Sequence, residues 1–261
     1  MSKRVHDEPA FVLHRYDWSE TSLILEVFGR GQGRIALVAK GVKRPTSQFR
    51  PVLLPLQPLL LSWGGEAEVR TLKSAQWQGG HVMPTGDALL AGSYLNELLM
   101  RLLARDDPHP RLFDDYALAV QLLSERSEAQ PLILRAFELV LLRDAGFLPD
   151  LAREGSSLQP LDPALPYVLQ PEAGLRQAHA DDPHVMAGHD WLALQAALET
   201  DTPLLAAMRA SLPVMPALRA QLRTLLHYHS GVQVFRTRQL MLDAHALTRP
   251  RPDAVLPQAP A

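Results

Sequence analysis

The chain has 261 residues, of which 47% are hydrophobic and 21% charged, and it contains no cysteine. This composition is typical of a globular protein that buries its own core. The lack of cysteine excludes disulfides, thiolate nucleophiles and cysteine-ligated zinc, and it fits a reducing compartment. We expect a cytoplasmic protein without membrane contact, because residues 1–8 carry no apolar signal segment. The longest apolar run, residues 52–63, is also too short to span a bilayer.

Residues 10–74 predict a small β-barrel. Strand-like segments rich in β-branched and aromatic residues cover residues 10–14, 22–28, 34–40, 52–63 and 66–74. The glycine-rich residues 29–33 join the second and third segments as a hairpin turn. They do not predict a phosphate-binding loop, because a strand rather than a helix follows them. Since no helix is long enough to cross over, these strands favour a closed, five-stranded barrel of the oligonucleotide-binding (OB) type.

A helical period follows the barrel segment. The predicted helices cover residues 87–103, 112–123, 132–145, 189–199, 203–212, 214–230 and 233–246. Among them, residues 149–183 are rich in proline and glycine and predict an irregular segment with a short strand at 167–169. We therefore predict an α+β chain with an OB-fold barrel over residues 1–80 and a mainly α-helical domain over 81–248. The proline-rich tail, residues 249–261, is predicted to be disordered.

The charge is unevenly distributed along the chain. Residues 1–80 hold 11 Lys and Arg against seven Asp and Glu, whereas the remainder holds 15 against 21. No acidic residue lies between Glu26 and Glu66, and the basic residues 39–50 follow the third strand directly. A basic block without acids favours a polyanionic partner, of which nucleic acid is the obvious one. A solvated basic face is the alternative.

Four aromatic residues of this part are candidates for stacking on bases. OB barrels hold single strands by combining such stacking with cations that follow the backbone. The candidates are Tyr16, Trp18, Phe49 and Trp63. For each of them a place in the hydrophobic core is the alternative interpretation.

A histidine- and aspartate-rich segment is a candidate metal site, and with a metal it could serve a hydrolase. The residues concerned are His179, Asp181, Asp182, His184, His189 and Asp190. Because the histidines are spaced by five, they do not share one helical face, and zinc ligands are usually spaced more tightly. A polar loop is therefore the favoured interpretation. Since nucleotide-binding and nucleophile motifs are also missing, we predict that the protein is not an enzyme.

Several ordered segments resemble the RecO family of bacterial DNA repair proteins. They are AFVLHRYDWSETSLILEVF (10–28), GRIALVAKG (33–41), QPLLL (57–61), EVRTLKSA (68–75), YLNELL (94–99) and LRAFEL (134–139). The resemblance covers about residues 10–245 and implies an OB barrel followed by a helical domain. It also implies a recombination mediator of the RecF pathway that binds single- and double-stranded DNA and anneals complementary strands. Such a mediator helps to load the RecA recombinase onto strands coated by single-strand binding protein (SSB), with RecR as a partner.

The resemblance further implies two sets of site residues. The DNA-binding set is Arg15, Arg34, Lys40, Lys43, Arg44, Arg50 and Lys73. The set expected to bind the acidic, apolar C-terminal tail of SSB is Arg135, Val120, Leu139 and Arg143. Surface ion pairs are the alternative for Arg15 and Lys73, and core packing is the alternative for Val120 and Leu139.

One departure concerns a cofactor. Many members of the family carry a four-cysteine zinc site after the segment that corresponds to residues 146–151, where this chain reads AREG (152–155). We predict no cofactor, and we expect packing and hydrogen bonds to hold residues 149–183. The alternative function is an interaction module that binds the SSB tail through its helical domain and contacts DNA only weakly. The acidic balance of the second part of the chain motivates this alternative.

Overall fold

A computed structural model describes residues 4–80 and 82–248. Its N-terminal part is a closed five-stranded barrel with the strand order β1-β2-β3-β5-β4. The strands are β1 (Arg4–Asp17), β2 (Leu23–Gly29), β3 (Gly33–Ala39), β4 (Leu59–Gly64) and β5 (Val69–Trp77). Neighbouring strands pair antiparallel except β3 and β5, which pair parallel and help to close the barrel. This architecture confirms the predicted α+β class with an OB-like barrel.

Alternation along the strands builds the barrel interior. Leu25 and Val27 of β2 and Ile35 and Leu37 of β3 are spaced by two, so they point to the same face, and all four are buried in the barrel core. An irregularity between Val12 and the second half of β1 shifts the strand register. Val12 pairs with Val27 and His14 with Glu26, so Leu13 is an extra residue on β1. As in other β-bulges, this extra residue changes which side chains of the strand face outward.

The second part of the chain is mainly helical. Its α-helices are α1 (Gly86–Leu102), α2 (Pro110–Glu125), α3 (Gln130–Asp144), α4 (Gly188–Leu198), α5 (Pro203–Ser211), α6 (Met215–Ser230) and α7 (Arg236–Thr248). Short 3-10 turns precede α3 and α6. No helix within residues 4–80 and 82–248 is long and apolar enough to cross a membrane.

The helices pack directly against the outside of the barrel. The ring of Phe11 on β1 lies 5.0 Å from that of Tyr116 on α2, and the ring of Phe28 on β2 lies 5.4 Å from that of Phe113. Asn96 of α1 donates a hydrogen bond to the carbonyl of Leu13 at 3.0 Å. Because these barrel residues belong to the same buried cluster as the helices, the apolar surface that they share fixes the position of the barrel.

The barrel and the helical part also meet where the start of β3 lies against the backbone of the α1–α2 loop. Gly33 has a φ of +69°, and a Cβ there would lie 2.0 Å from the carbonyl oxygen of Asp107. The amide of Asp106 donates to the carbonyl of Arg34 at 2.9 Å. Only glycine fits this position, because it tolerates positive φ and leaves room for the neighbouring backbone.

Residues 149–187 are more regular than the sequence predicts. They contain a three-stranded sheet of β6 (Pro166–Gln170), β7 (Gly174–Gln177) and β8 (Met186–Ala187). The predicted strand at 167–169 lies within β6, but β7 and β8 were not predicted because each is short. The amide of Gly155 donates to the carbonyl of Leu175 at 2.8 Å, and a Cβ on Gly155 would overlap the Ala173 carbonyl. Backbone hydrogen bonds close this segment, whose residues offer no thiolate to a metal.

Other boundaries also differ from the predictions. The first strand runs over Arg4–Asp17 rather than 10–14, and of residues 52–63 only the last part belongs to β4. Proline at positions 51, 55 and 58 removes backbone donors from that segment, which folds as a loop instead of a long strand. The last helix begins at Arg236. The predicted disordered tail, residues 249–261, lies outside the described residues.

Candidate nucleic-acid interface and peptide groove

The loop after β3 places basic residues at the mouth of the barrel. Gly41, with a φ of +70°, begins a turn in which the amide of Arg44 donates to the Gly41 carbonyl at 3.1 Å. The amide of Lys43 donates to the carbonyl of Thr21 at 3.0 Å and so docks the loop on the β1–β2 connection. Local backbone bonds thus hold this basic loop in one place.

Three predicted DNA-binding residues meet around one cleft, which we call the mouth cleft. Arg15, Lys43 and Arg50 line it together with Leu23, Val42 and Leu53. Arg15 faces this way because it pairs in register with Leu25, whose side chain lies in the barrel core. Paired residues of antiparallel strands share a face, so the end of β1 delivers Arg15 to the open end of the barrel.

The cations around the mouth cleft are only weakly engaged. The ammonium group of Lys43 lies 2.5 Å from Asp17 and donates to the carbonyl of Ser19 at 3.0 Å. Lys40, Arg44 and Arg50 are exposed, and no ion pair holds them within the described chain. Surface ion pairs contribute little to stability, so a phosphate can displace Asp17 from Lys43.

The structure separates Arg34 and Lys73 from this group. The guanidinium of Arg34 lies 3.4 Å from Glu26, donates to the carbonyl of Leu103 at 3.1 Å and is 18% exposed. It therefore joins the barrel to the helices, away from the mouth cleft, and its role in DNA binding remains a prediction. Lys73 is exposed on β5, where its aliphatic chain lies beside Gly64, and no contact connects it to the mouth cleft.

Of the four predicted stacking residues, two lie in or against the core and two are exposed. Trp63 is 2% exposed and fills the barrel core, so the alternative interpretation, a core residue, holds for it. Phe49 is half-buried against the same core. Tyr16 and Trp18, at and just beyond the end of β1, are 46% and 66% exposed. They are the two candidates of the four whose rings are free to stack on a base.

A second site lies in the helical part, in a groove bounded by α1, α3, α6 and α7. We call it the peptide groove, and its volume is about 380 Å³. Its apolar surface comes from Pro131, Leu134, Met215, Pro216 and Met241. Three cations, Arg135, Arg219 and Arg238, line it as well. Apolar walls with several cations suit a short apolar segment that carries carboxylates.

Arg135 is held in this groove by a buried acid. Its guanidinium lies 2.5 Å from Glu138, and the hydroxyl of Tyr94 donates to the same carboxylate oxygen at 2.8 Å. Burial raises the pKa of Glu138, and its other oxygen has no hydrogen-bond partner in the described part of the chain. Burial and the nearby Arg223 and Arg219 lower the pKa of Arg238. The groove therefore carries positive charge that an incoming carboxylate would neutralise.

The other residues predicted to bind the SSB tail do not line this groove. Val120 and Leu139 are both 0% exposed and belong to the shared core, so neither can line the groove. Arg143 lies in a different cleft, where it pairs with Asp144 at 2.6 Å. Arg219 and Arg238 line the groove but are not among the residues predicted from the sequence. The signal that could have found Arg219 is its position one helical turn from Pro216, which places both on one face of α6.

In the histidine- and aspartate-rich segment, Asp182 binds neighbouring groups of the same chain and is not part of a metal-ligand set among the described residues. Asp182 accepts two hydrogen bonds of 2.7 Å from Arg176 and one of 2.7 Å from the amide of His179. The guanidinium of Arg176 lowers the pKa of Asp182. Within residues 4–80 and 82–248, no three His, Asp or Glu side chains lie close enough together to hold a metal ion. This geometry matches the polar loop that the sequence favoured.

An OB-like barrel with a basic mouth, joined through its outer face to a helical domain, defines a class of two-domain proteins suited to binding a polyanion. Comparison with known families gives the particular member of that class. The family model described as "Recombination protein O N terminal" matches residues 1–80, and "Recombination protein O C terminal" matches residues 83–238. The chain therefore belongs to the RecO family of DNA repair proteins.

Several similar proteins are named DNA repair protein RecO. The DNA repair protein RecO of a Polaromonas species is 63% identical over 247 residues, which cover 94% of this chain and 99% of the relative. The DNA repair protein RecO of Polaromonas naphthalenivorans is 60% identical over 247 residues, with the same coverage. That of Albidiferax ferrireducens is 58% identical over 248 residues, covering 95% of this chain and 99% of the relative.

Proposed function

We propose that this protein is a recombination mediator that binds single- and double-stranded DNA at the mouth cleft and anneals complementary strands. The observation that supports this most directly is the meeting of Arg15, Lys43 and Arg50 at one cleft, beside a loop without acids. Cations arranged in this way follow a phosphate backbone without reading its sequence. Two strands held by their phosphates leave their bases free to pair.

The peptide groove supports a second part of this proposal. The C-terminal tail of SSB combines apolar residues with carboxylates, and the groove offers apolar walls beside Arg135, Arg219 and Arg238. Binding of that tail would bring the mediator to strands that SSB already coats. With RecR as partner, the mediator then helps RecA to load on those strands. This work would take place in the cytoplasm, at the nucleoid, and it involves no covalent step.

Charge reversal at the basic loop tests the DNA-binding part. The variant Lys40→Glu/Lys43→Glu/Arg44→Glu should lose at least tenfold in affinity for a single-stranded oligonucleotide at low salt, because it replaces three attractive charges by repulsive ones. A matched control reverses three exposed arginines of the helical part, Arg111, Arg126 and Arg209. Fluorescence anisotropy should show a much smaller loss for the control. Equal losses for both variants would refute a site at the loop.

The alternative, an interaction module with only weak DNA contact, is favoured by the well-formed peptide groove. The same variants separate the two functions. If the loop variant keeps both its DNA affinity and its strand-annealing rate, while changes in the peptide groove abolish binding of the SSB tail, the interaction module is the better description.

A further inference from the structure

A second cleft lies between the barrel and helices α1 and α7. We call it the interdomain cleft, and its volume is about 550 Å³. Its barrel side includes His14, Tyr16 and Pro55, and its helical side includes Arg101 and Arg236. Neither DNA binding at the mouth cleft nor peptide binding in the groove uses it.

The interdomain cleft and the mouth cleft border each other along two segments. On β1, His14 and Tyr16 line the interdomain cleft, whereas Arg15 between them lines the mouth cleft. In the β3–β4 loop, Pro55 lines the interdomain cleft and Leu53 lines the mouth cleft. On β1, the division follows from the irregularity after Val12. Beyond it, alternate residues face opposite sides of the strand, with Arg15 toward the mouth cleft. A chain that leaves the mouth cleft across the end of β1 therefore enters the interdomain cleft.

The charges of the interdomain cleft favour an anion. Arg101 and Arg236 are exposed, and neither forms an ion pair with any residue that the structure describes. The acid that lines the cleft, Glu97, already has hydrogen-bond partners on both carboxylate oxygens. Its carboxylate accepts hydrogen bonds from the amides of Arg236 at 3.0 Å and Thr237 at 2.9 Å, and from the Thr237 hydroxyl at 2.7 Å. The positive end of α7 thus offsets the charge of Glu97, while the two guanidinium groups remain available.

The cleft also offers a surface for stacking. The rings of His14 and Tyr16 lie 4.5 Å apart and are steeply inclined to each other, so the histidine supports the tyrosine from one side. Tyr16 is nevertheless 46% exposed. A supported but exposed ring is suited to stacking on an unpaired base. Bases inside a duplex are already stacked on each other, so this surface favours a single strand.

We propose that the interdomain cleft binds the continuation of a single strand whose first part lies in the mouth cleft. Tyr16 stacks on a base, and Arg101 and Arg236 contact the phosphates that follow. This inference rests on the proposed DNA binding at the mouth cleft and extends it: a strand is held on both sides of β1. The interdomain cleft should therefore contribute only to strands long enough to cross the end of β1.

The test compares oligonucleotides of increasing length. For the variant Arg101→Gln/Arg236→Gln, anisotropy should show at least a tenfold loss of affinity for long single strands and an unchanged affinity for the shortest strands that bind. Tyr16→Ala should act in the same way, because it removes the ring on which a base stacks, and Tyr16→Phe should restore binding. Arg126→Gln/Arg209→Gln is the matched control, and its affinity should not change at any length.

The outcomes distinguish this inference from the proposed function. If the cleft variants bind long strands as tightly as the wild type while the loop variant loses affinity, the interdomain cleft carries no strand and only the mouth cleft does. If the loop variant also binds normally, the proposed function itself fails. An equal loss of blunt duplex binding in the cleft variants would overturn the assignment to single strands.

Discussion

The guanidinium of Arg135 lies 2.5 Å from the carboxylate of Glu138, one turn further along α3. Glu138 is completely buried, whereas Arg135 reaches the peptide groove. The acid therefore fixes the position of the cation from beneath, and Tyr94 donates to the same carboxylate from α1. A cation positioned in advance loses little conformational entropy when it meets a carboxylate ligand.

Removal of Arg135 alone should destabilise the fold. Arg135→Ala leaves the buried carboxylate of Glu138 without its cation, and breaking a buried pair in this way costs about 3–5 kcal/mol. Replacing both partners removes the stranded charge and fills the space with an apolar chain, so Arg135→Met/Glu138→Gln should recover most of the lost free energy of unfolding. Urea denaturation measures both variants. An Arg135→Ala protein as stable as the wild type would contradict the importance of this pair.

The stable double variant then tests the peptide groove without interference from unfolding. Arg135→Met/Glu138→Gln should bind a synthetic SSB-tail peptide at least tenfold more weakly, because hydrogen bonds to charged groups contribute about 1.5–3 kcal/mol. Arg143→Ala is the control, since Arg143 lies in another cleft, and its peptide affinity should not change. Isothermal titration calorimetry gives both affinities. A double variant that binds the peptide like the wild type would refute the placement of this site.

A buried acid on α2 should make stability depend on pH. Burial raises the pKa of Asp115 from 3.8 to about 6, although Arg143 opposes the shift. Between these two values the folded state holds a proton that the unfolded state has released, so the free energy of unfolding falls as the pH rises. A pKa difference of this size corresponds to roughly 3 kcal/mol, fully lost above about pH 6.

Asp115→Asn isolates this effect, because the amide stays neutral and keeps an acceptor for the backbone of Leu204. The variant should match the wild type near pH 4 and exceed its stability by up to about 3 kcal/mol at pH 7. Thermal or urea unfolding at several pH values measures the difference. A difference that does not vary with pH would show that Asp115 is charged in the folded protein throughout this range.

The contact between Gly33 and Asp107 should be among the positions least tolerant of change. Gly33→Ala places a methyl group 2.0 Å from the carbonyl oxygen of Asp107 at a positive φ, so we expect a loss of more than about 3 kcal/mol. Gly79→Ala is the matched control, because Gly79 also has a positive φ but has no atom within 4 Å of the added Cβ. It should lose only about 1–2 kcal/mol. Similar losses in denaturation would contradict a steric lock at Gly33.

Much of the fold could be predicted because its signals are local. The period of two in β3 and the period of 3.6 in α2 follow directly from which face each element buries. The three-stranded sheet at β6 could not be predicted in full, because β7 and β8 are only four and two residues long and show no clear alternation. The loop at residues 52–58 shows the opposite case, where prolines overrule an apolar, strand-like pattern.

The sites could be predicted only in part, for a physical reason. A cluster of cations such as Lys43 and Arg50 is visible as a run in the sequence, so the mouth cleft could be anticipated. Arg34 lies in the same acid-free stretch, but its partner Glu26 and the Leu103 carbonyl come from elements that only the fold brings together. Val120 and Leu139 come from the family resemblance alone, and nothing in the sequence distinguishes a buried position of α2 or α3 from a ligand-binding one.

The most direct test of DNA binding at the barrel mouth is the salt dependence of single-strand affinity. Each phosphate neutralised by the protein adds about 0.7 to the slope of log affinity against log salt for single strands. Neutralising Lys40, Lys43 and Arg44 with glutamine should therefore make the slope shallower by about 2 units. This result would place phosphates on the barrel loop. A slope equal to that of the wild type would show that the DNA backbone lies elsewhere, and it would contradict DNA binding at the mouth cleft.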